Sequence, residues 1–353
     1  MPLSFEPTTP QDRPELVRFL LDVFQLPPDS LFVRPDLLEW KFDRPRPDWE
    51  APRSYVFRRD GEILSHGCIW PVTYLTPEGP LTSMRVIDWA GTRTHPGSGA
   101  MLMRKMASVT ETVLAVGGSE ETQKVVPAIG FRRTGDFYQY ARVLRPWRQM
   151  RTYPVKNWKT PIRFLRNALW SRTPAHRAPA GWSWRPLPRF GDAQKVLVEN
   201  PPPVEGWIGC RRTVGMLNYL LDCPAARMSA FLIEREGKPC GYGILSHVRG
   251  QTRISDLHVT PGSPENWRNA YALAVEAARR DPECAEVVSW VSAGFRRTAL
   301  QSCGFRALGS EPVFLYDPRK RIVPPDDAAL PLDLQLLDGD EFFLADALYP
   351  YST

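Results

Sequence analysis

The sequence predicts an α/β (α+β) protein built twice in tandem, each half a mixed, mostly antiparallel sheet flanked by helices. Three observations predict it. Tyr55–Gly67 (YVFRRDGEILSHG) parallels Phe231–Gly243 (FLIEREGKPCGYG) without a gap. Both stretches read as two strands joined by a tight Asp-Gly or Glu-Gly hairpin turn. Val86-Ile87-Asp88-Trp89 then parallels Ile254-Ser255-Asp256-Leu257, more weakly, and Gly130-Phe131-Arg132-Arg133-Thr134-Gly135 matches Gly304-Phe305-Arg306-Ala307-Leu308-Gly309. Three matches in one order at similar spacing are hard to obtain by chance. The repeat divides the chain into a first domain over residues 1–145, a basic Pro/Arg/Trp-rich linker over 146–180, and a second domain over 181–353.

The 353 residues suffice for two ordinary domains, and a hydrophobic content of 43% allows a sizeable core. No run approaches the roughly 18 apolar residues of a membrane span. The opening stretch MPLSFEPTTPQDRPEL has neither a basic n-region nor an apolar h-region, so a secretory signal is not expected. The six cysteines, Cys68, Cys210, Cys223, Cys240, Cys284 and Cys303, form no CxxC or zinc-ligand spacing and read as reduced core thiols of a cytoplasmic protein. The five histidines are scattered, so no metal is expected. A net charge of +6 suits an anionic ligand without choosing one.

In the first copy, apolar residues at Leu16, Phe19, Leu20, Val23 and Phe24 predict a helix over residues 14–24. Pro35–Phe42 predicts a second, shorter helix. The hairpin follows, then a longer strand pair broken at Pro77-Glu78-Gly79-Pro80. A strand is expected at Thr112–Ala115, a helix at Glu120–Ala128 and a closing strand at Phe137–Leu144. In the linker, Thr160–Trp170 predicts a helix with Ile162, Leu165 and Leu169 on one face and Arg163, Arg166 and Asn167 on another. A basic amphipathic helix can lie on a membrane. The commoner fate of such a stripe is burial against the neighbouring domains, and that is the expectation here. In the tail, Leu332–Leu344 carries a hairpin signal around Asp338-Gly339-Asp340.

The first copy is centred on Ser83–Ala107. An apolar run, Met84–Ala90, has strand composition and breaks at Thr94-His95-Pro96-Gly97-Ser98-Gly99 into the helix formers that begin at Ala100. Strand, glycine turn and helix start place free backbone N–H groups and a positive dipole end at one point, which attracts a phosphate or pyrophosphate. The segment resembles the acyl-CoA-binding stretch of the GNAT N-acyltransferase superfamily, where a strand runs into Arg/Gln-x-x-Gly-x-Gly/Ala and then a helix. Anchored on the glycines, those positions are Thr94, Gly97 and Gly99. The long side-chain donor of the first is lost, and Pro96 has no N–H.

The resemblance implies a tandem GNAT-like acyltransferase that moves an acyl group, acetyl by expectation, from acyl-CoA to an amine or hydroxyl of a small molecule or sugar. The co-substrate would rest on Arg93, Thr94, Gly97, Ser98, Gly99, Ala100 and Ser119. The second copy has Glu265 and Trp267 where the first has its glycines, so only the first is expected to bind CoA. A bulky residue at Gly99 is then expected to block binding and spare the fold, since a surface turn carries little packing. The family's tyrosine acid and the asparagine seven residues earlier fall on Val126 and Ser119, and in the second copy on Leu300 and Ala293. Candidate replacements are Tyr138 and Tyr140 on the closing strand, although tyrosines are common in strands. Asp88 is a candidate general base. Its recurrence as Asp256 points equally to a fold-stabilising role, since a carboxylate on an apolar strand is costly unless partnered. Two other readings stand beside this one. A Fem-type aminoacyl transferase would use aminoacyl-tRNA and the basic linker, and a non-catalytic scaffold would explain the missing tyrosine and asparagine.

Overall fold

A computed structural model describes residues 3–199, 204–322, 330–345 and 349–353. The chain divides into two compact units, Met1–Gly135 with Glu311–Leu330, and Asp136–Ser310 with Pro331–Thr353. The units do not follow the order of the chain.

The first unit begins with β1 (Ser4–Pro7), α1 (Arg13–Val23) and α2 (Pro35–Leu38), which runs directly into a π-helical turn at Glu39–Asp43. The wider turn carries Trp40, Lys41 and Phe42 into the interior where the sequence predicts a continuous helix to Phe42. Then come β2 (Ser54–Arg59), β3 (Glu62–Thr76), β4 (Gly79–Gly91), α3 (Ser98–Met106), β5 (Thr112–Val116) and α4 (Glu120–Ala128). The strands lie in the order β1-β2-β3-β4-β5. A strand from far along the chain completes the sheet: Val313–Tyr316 runs antiparallel to β5, with Val313 opposite Val116 and Tyr316 opposite Val113. Its Phe314 joins Met84, Leu102, Met106 and Phe131 in the core of this unit.

The second unit takes in β6 (Arg132–Val143) from Asp136 onward, then α5 (Pro146–Thr152), α6 (Thr160–Ser171), β7 (Trp182–Leu187), α7 (Asp192–Glu199), β8 (Ile208–Cys210) and α8 (Val214–Leu221). It continues with β9 (Arg227–Arg235), β10 (Lys238–Val248), β11 (Gln251–Val259), α9 (Pro264–Arg279), β12 (Glu286–Val291), α10 (Gly294–Ser302), the first part of β13 (Arg306–Tyr316) and β14 (Leu332–Asp333). Its sheet has the order β6-β12-β11-β10-β9-β7, with Tyr138–Val143 of β6 antiparallel to β12. Each repeat therefore gives its closing strand to the sheet of the other unit.

The repeated motifs take the same shapes. Asp60 and Gly61 have φ of 53° and 86°, and Glu236 and Gly237 have 51° and 72°. Two successive left-handed residues make the hairpin turn whose twist matches the strands, as both sequences predict. At the end of α4 the Phe131 N–H reaches Val126 O (3.2 Å), and at the end of α10 the Phe305 N–H reaches Leu300 O (3.1 Å). Gly130 and Gly304 turn there in the left-handed region, and the two phenylalanines drop into their respective cores. These are the Gly-Phe elements of the sequence repeat.

Two expectations are overturned in the second unit. The tail forms no hairpin: β14 pairs in parallel with β8, a single 3-10 turn follows at Leu336–Asp338, and Phe342 and Phe343 are buried. Asp338 closes that turn, its Oδ2 accepting the Gln335 N–H at 2.8 Å, and ion-pairs with Arg212. The apolar stripe of α6 is not buried either: Ile162, Leu165 and Leu169 are about three-fifths exposed (60%, 62% and 60%). The helix is seated by its polar side. Asn167, fully enclosed, donates to Gln149 Oε1 (2.8 Å) and Thr353 Oγ1 (3.3 Å), and Arg163 lies 4.3 Å over the Tyr153 ring.

Candidate functional site

In the first unit, β4 and β5 are parallel neighbours for only three pairs, Ser83 with Thr112, Met84 with Val113 and Arg85 with Leu114. Both strands run on beyond that point, β4 to Gly91 and β5 to Val116, and part from each other. β4 bulges there: Cys68 faces Ile87 and His66 faces Ala90, so that Asp88 and Trp89 stand against Gly67 alone. Asp88 takes a left-handed φ of 52° to do this, a conformation Asp tolerates. α3 follows β4 and α4 follows β5, so two helix N-termini flank the carboxyl ends of the parting strands. Ligands of mixed α/β sheets bind in such a crevice.

The turn into α3 is built for close packing. Ser98 is buried and donates to Leu64 O (3.2 Å), while Ser65 Oγ donates to Ser98 O (3.2 Å). Trp89 Nε1 donates to Gly99 O at 2.8 Å. A Cβ on Gly91 would lie 3.0 Å from Gly99 N and from Ser98 Oγ, and one on Gly67 would lie 2.6 Å from Met106 Sδ. The small residues let α3 sit on β3 and β4. Gly99 faces Trp89 and Gly91, with 3.4 Å to Trp89 Nε1 from the position of a Cβ, so a tryptophan there would lift the helix. The expectation that Gly99 is a dispensable surface residue is overturned by this contact. Gly97 is the glycine that faces outward: it caps α3 at φ 89° with nothing within 4 Å of a Cβ. The Ser98 N–H is spent on His95 O (3.2 Å) and Pro96 has none, which leaves the Gly99 and Ala100 amides as first-turn donors of α3.

Arg93 and Thr94 are exposed beside the turn, and the Thr94 hydroxyl donates to Thr92 Oγ1 (3.1 Å). Ser119 caps α4, accepting the Thr122 N–H at 3.2 Å. The neighbouring Glu121 carboxyl is held below its ordinary range by its own backbone N–H first, then by the Ser119 hydroxyl, with Lys124 and Arg93 contributing. A pyrophosphate at this end of the sheet would meet Arg93, Thr94 and the amide groups that follow Gly97, and Ser119 would lie toward the β5 side.

Asp88 is deep in the fold, with 8% of its surface exposed, and its carboxylate pairs with the equally buried Lys41 ammonium. Lys41 also lies over the Phe32 and Phe42 rings. Below the bulge, His66 bridges Ser54 Oγ (2.9 Å) and Asp88 O (3.1 Å), and burial pushes its pKa down to about 4. Tyr138 and Tyr140 belong to the second unit. Tyr140 is packed in its core, and Tyr138 carries Arg297 over its ring at 4.1 Å.

Sequence reasoning misses Glu311. It arrives in the first unit on the strand contributed by the second repeat, one residue before Pro312, whose carbonyl accepts the Gly117 N–H (2.9 Å). A Cβ on Gly117, itself left-handed at φ 66°, would lie 2.9 Å from Glu311 Oε2. The carboxyl thus rests on the β5–α4 turn, half-buried, and desolvation raises its pKa. No local signal marks Glu311, because a long-range strand pairing brings it there. Among the described residues no group of three His, Cys, Asp or Glu side chains gathers as a metal site.

The second unit repeats the parting strands and then fills the gap. β11 and β12 pair in parallel from Gln251–Glu286 to Arg253–Val288 and separate. Gln335 enters between them: its Oε1 accepts the Leu257 N–H (2.9 Å), its Nε2 donates to Asp256 Oδ1 (2.9 Å), and its backbone bridges to Val291. Arg296 grips Asp333 through two bonds of 2.5 and 2.8 Å and donates to Leu257 O at 2.9 Å. Asp256 is spoken for by Arg212 (2.9 and 3.2 Å) and Tyr242 (3.1 Å). Trp267 is buried beneath Arg296, 4.2 Å from its guanidinium carbon.

Two units that each part their sheet beside an Asp-bearing strand invite comparison with solved structures. A GCN5-related N-acetyltransferase from Anabaena variabilis superposes with a TM-score of 0.57 at 11% identity, over 90% of this chain and 73% of that one. A tandem GNAT protein from the clavulanic acid biosynthesis pathway gives 0.56 at 12% identity, over 90% of this chain and 98% of that one. This chain has the tandem GNAT fold. A GCN5-related N-acetyltransferase from Kribbella flavida gives 0.52 at 13%, over 89% and 70%. At these identities the likeness is one of fold. No family model and no curated protein matches the sequence. No helix among the described residues is long and apolar enough to cross a membrane.

Proposed function

We propose that the first unit of this tandem GNAT-fold protein is an acyltransferase site that takes an acyl group from acyl-CoA to an amine or hydroxyl of a small molecule or sugar. The observation that carries this reading is the parting of β4 from β5 between the N-termini of α3 and α4. The pyrophosphate would rest on the Gly99 and Ala100 amides with Arg93 and Thr94 beside it, and the pantetheine arm would enter the gap toward Ser119. The acceptor N–H or O–H must lose its proton as its lone pair attacks the thioester carbon, and the C–S bond breaks to release the thiolate. Asp88 is tied to Lys41, so Glu311, with a carboxyl made more basic by burial, is the proton acceptor in this reading. The second unit would be silent, its equivalent gap held by Gln335.

Titration calorimetry with acetyl-CoA tests it. Gly97→Asp places a carboxylate on the anion site, at a position whose φ of 89° strains any side chain but leaves it open space. It is expected to weaken binding at least tenfold, with a melting temperature lowered only by that local backbone strain. Thr94→Arg restores a charged donor worth about 1–2 kcal/mol and is expected to tighten binding roughly tenfold. Equal binding by Gly97→Asp and the parent would overturn the assignment. A parent that ignores acetyl-CoA and is stabilised by aminoacyl-tRNA would replace this reading with aminoacyl transfer.

A further inference from the structure

The helix α6 leaves one apolar face uncovered, although its Phe164 packs on Trp147. Its polar residue Asn167 is enclosed and hydrogen-bonded to Gln149 and Thr353, while Ile162, Leu165 and Leu169 face solvent. Trp158, in the turn just before the helix, is 75% exposed and adds a large apolar side chain at the helix's start. These are among the most exposed large apolar side chains of the described residues, and the three in the helix share one face. The surrounding sequence is charged with one sign. From Phe137 to Gly191 there are twelve Lys and Arg residues and no Asp or Glu, and of these Arg148, Arg185 and Arg189 are ion-paired with Glu283, Glu234 and Asp222 from elsewhere in the chain. Lys159 and Arg166 stand exposed beside the stripe, and neither has an acidic neighbour on its own element.

From this juxtaposition we propose that α6 is a membrane-surface helix, docking the protein on an anionic lipid leaflet. Aliphatic side chains along one face enter the acyl boundary, a tryptophan at the helix's start sits at headgroup level, and cations at the edges meet lipid phosphates. The charge excludes a second copy of the chain, since two such faces would bring like charges together. RNA would meet the cations but gain nothing from a row of aliphatic side chains, because bases are held by stacking on aromatic or guanidinium planes. The inference stands independently of the acyltransferase reading, as it uses no residue of that site.

Co-sedimentation of the full chain with sucrose-loaded vesicles tests it. At physiological salt the protein is expected to pellet with phosphatidylcholine–phosphatidylglycerol vesicles and much less with phosphatidylcholine alone. Leu165→Glu should weaken the partition roughly tenfold or more. Lys159→Glu should weaken it roughly fivefold, and raised salt should do the same. Both side chains are exposed, so melting temperatures should not move; if Leu165→Glu lowers the melt, Ile162→Ser with Leu165→Ser takes its place. Failure to pellet with anionic vesicles, or equal pelleting of parent and stripe variants, overturns the proposal. So does a parent dimer in sedimentation velocity that Leu165→Glu dissolves, or vesicle-independent RNA binding that needs the stripe.

Discussion

His66 and Glu311 show how single side chains acquire properties that their residue type does not announce. His66 is enclosed between Ser54 and the Asp88 carbonyl, and burial lowers its pKa from 6.5 to about 4. Below pH 6.5 the unfolded chain takes up a proton that the folded chain refuses until about pH 4. The unfolded state therefore gains, and stability present above pH 6.5 is lost as pH falls through that window. At about 1.4 kcal/mol per unit, His66 accounts for roughly 3 kcal/mol. Urea melts at pH 7 and 4.5 should show a steeper loss in the parent than in His66→Gln; equal slopes would show that His66 is not the source. Glu311 is argued from the opposite shift. Glu311→Gln is expected to lower kcat by roughly 10²- to 10⁴-fold, to remove the acidic limb of the kcat/KM profile and to leave acetyl-CoA affinity as it was. A merely structural Glu311 would alter the melting temperature and leave that limb in place. The Asp88 position was legible as a carboxylate needing a partner. That the partner is Lys41, carried inward by a π-helical turn, was not, because no local spacing encodes it.

At the scale of the element, turn chemistry held in both repeats but not in the tail, where the Asp338-Gly339 signal makes a 3-10 turn in place of a hairpin. Both left-handed hairpin turns and both Gly-Phe helix ends are where the repeat puts them. α3 starts at Ser98, two residues before the expected Ala100, and its glycines divide their labour in a way the sequence does not disclose. Gly97 is open, whereas Ser98 and Gly99 are the seat of the helix on β3 and β4. Gly99→Trp is accordingly expected to lower the melting temperature by several degrees, more than Gly97→Asp, whose cost is backbone strain without a steric clash, as followed by circular dichroism. A Gly99→Trp protein that melts like the parent would place the helix farther from the strands than the Trp89–Gly99 bond allows. The stripe of α6 was equally plain as a period. Which side of it faces the protein depended on Asn167 finding Gln149 and Thr353, residues outside the helix.

For the whole molecule, the repeat marks two copies and the tertiary structure interleaves them. The first unit needs Val313–Tyr316 along β5, and the second needs Tyr138–Val143 along β12. A fragment of residues 1–145 would expose the β5 edge and lose Phe314 from its core, and an unpaired edge strand invites aggregation. It is expected to lack a cooperative melt and to recover one when the peptide segment 305–322 is supplied. A cooperative melt of the fragment alone would show that the exchange is dispensable.

By itself the sequence determined two copies of one α/β pattern, the two repeat hairpins, the Gly-Phe helix ends, and the place where a strand meets a glycine turn. Each of these rests on interactions within a few residues, where residue type dictates backbone shape. Tertiary structure alone decided the exchange of closing strands, the Lys41–Asp88 pairing, the arrival of Glu311 beside Gly117, and the filling of the second gap by Gln335. Those outcomes join residues far apart in the chain, and they are selected by the burial and hydrogen bonding of the complete fold, which no local pattern carries.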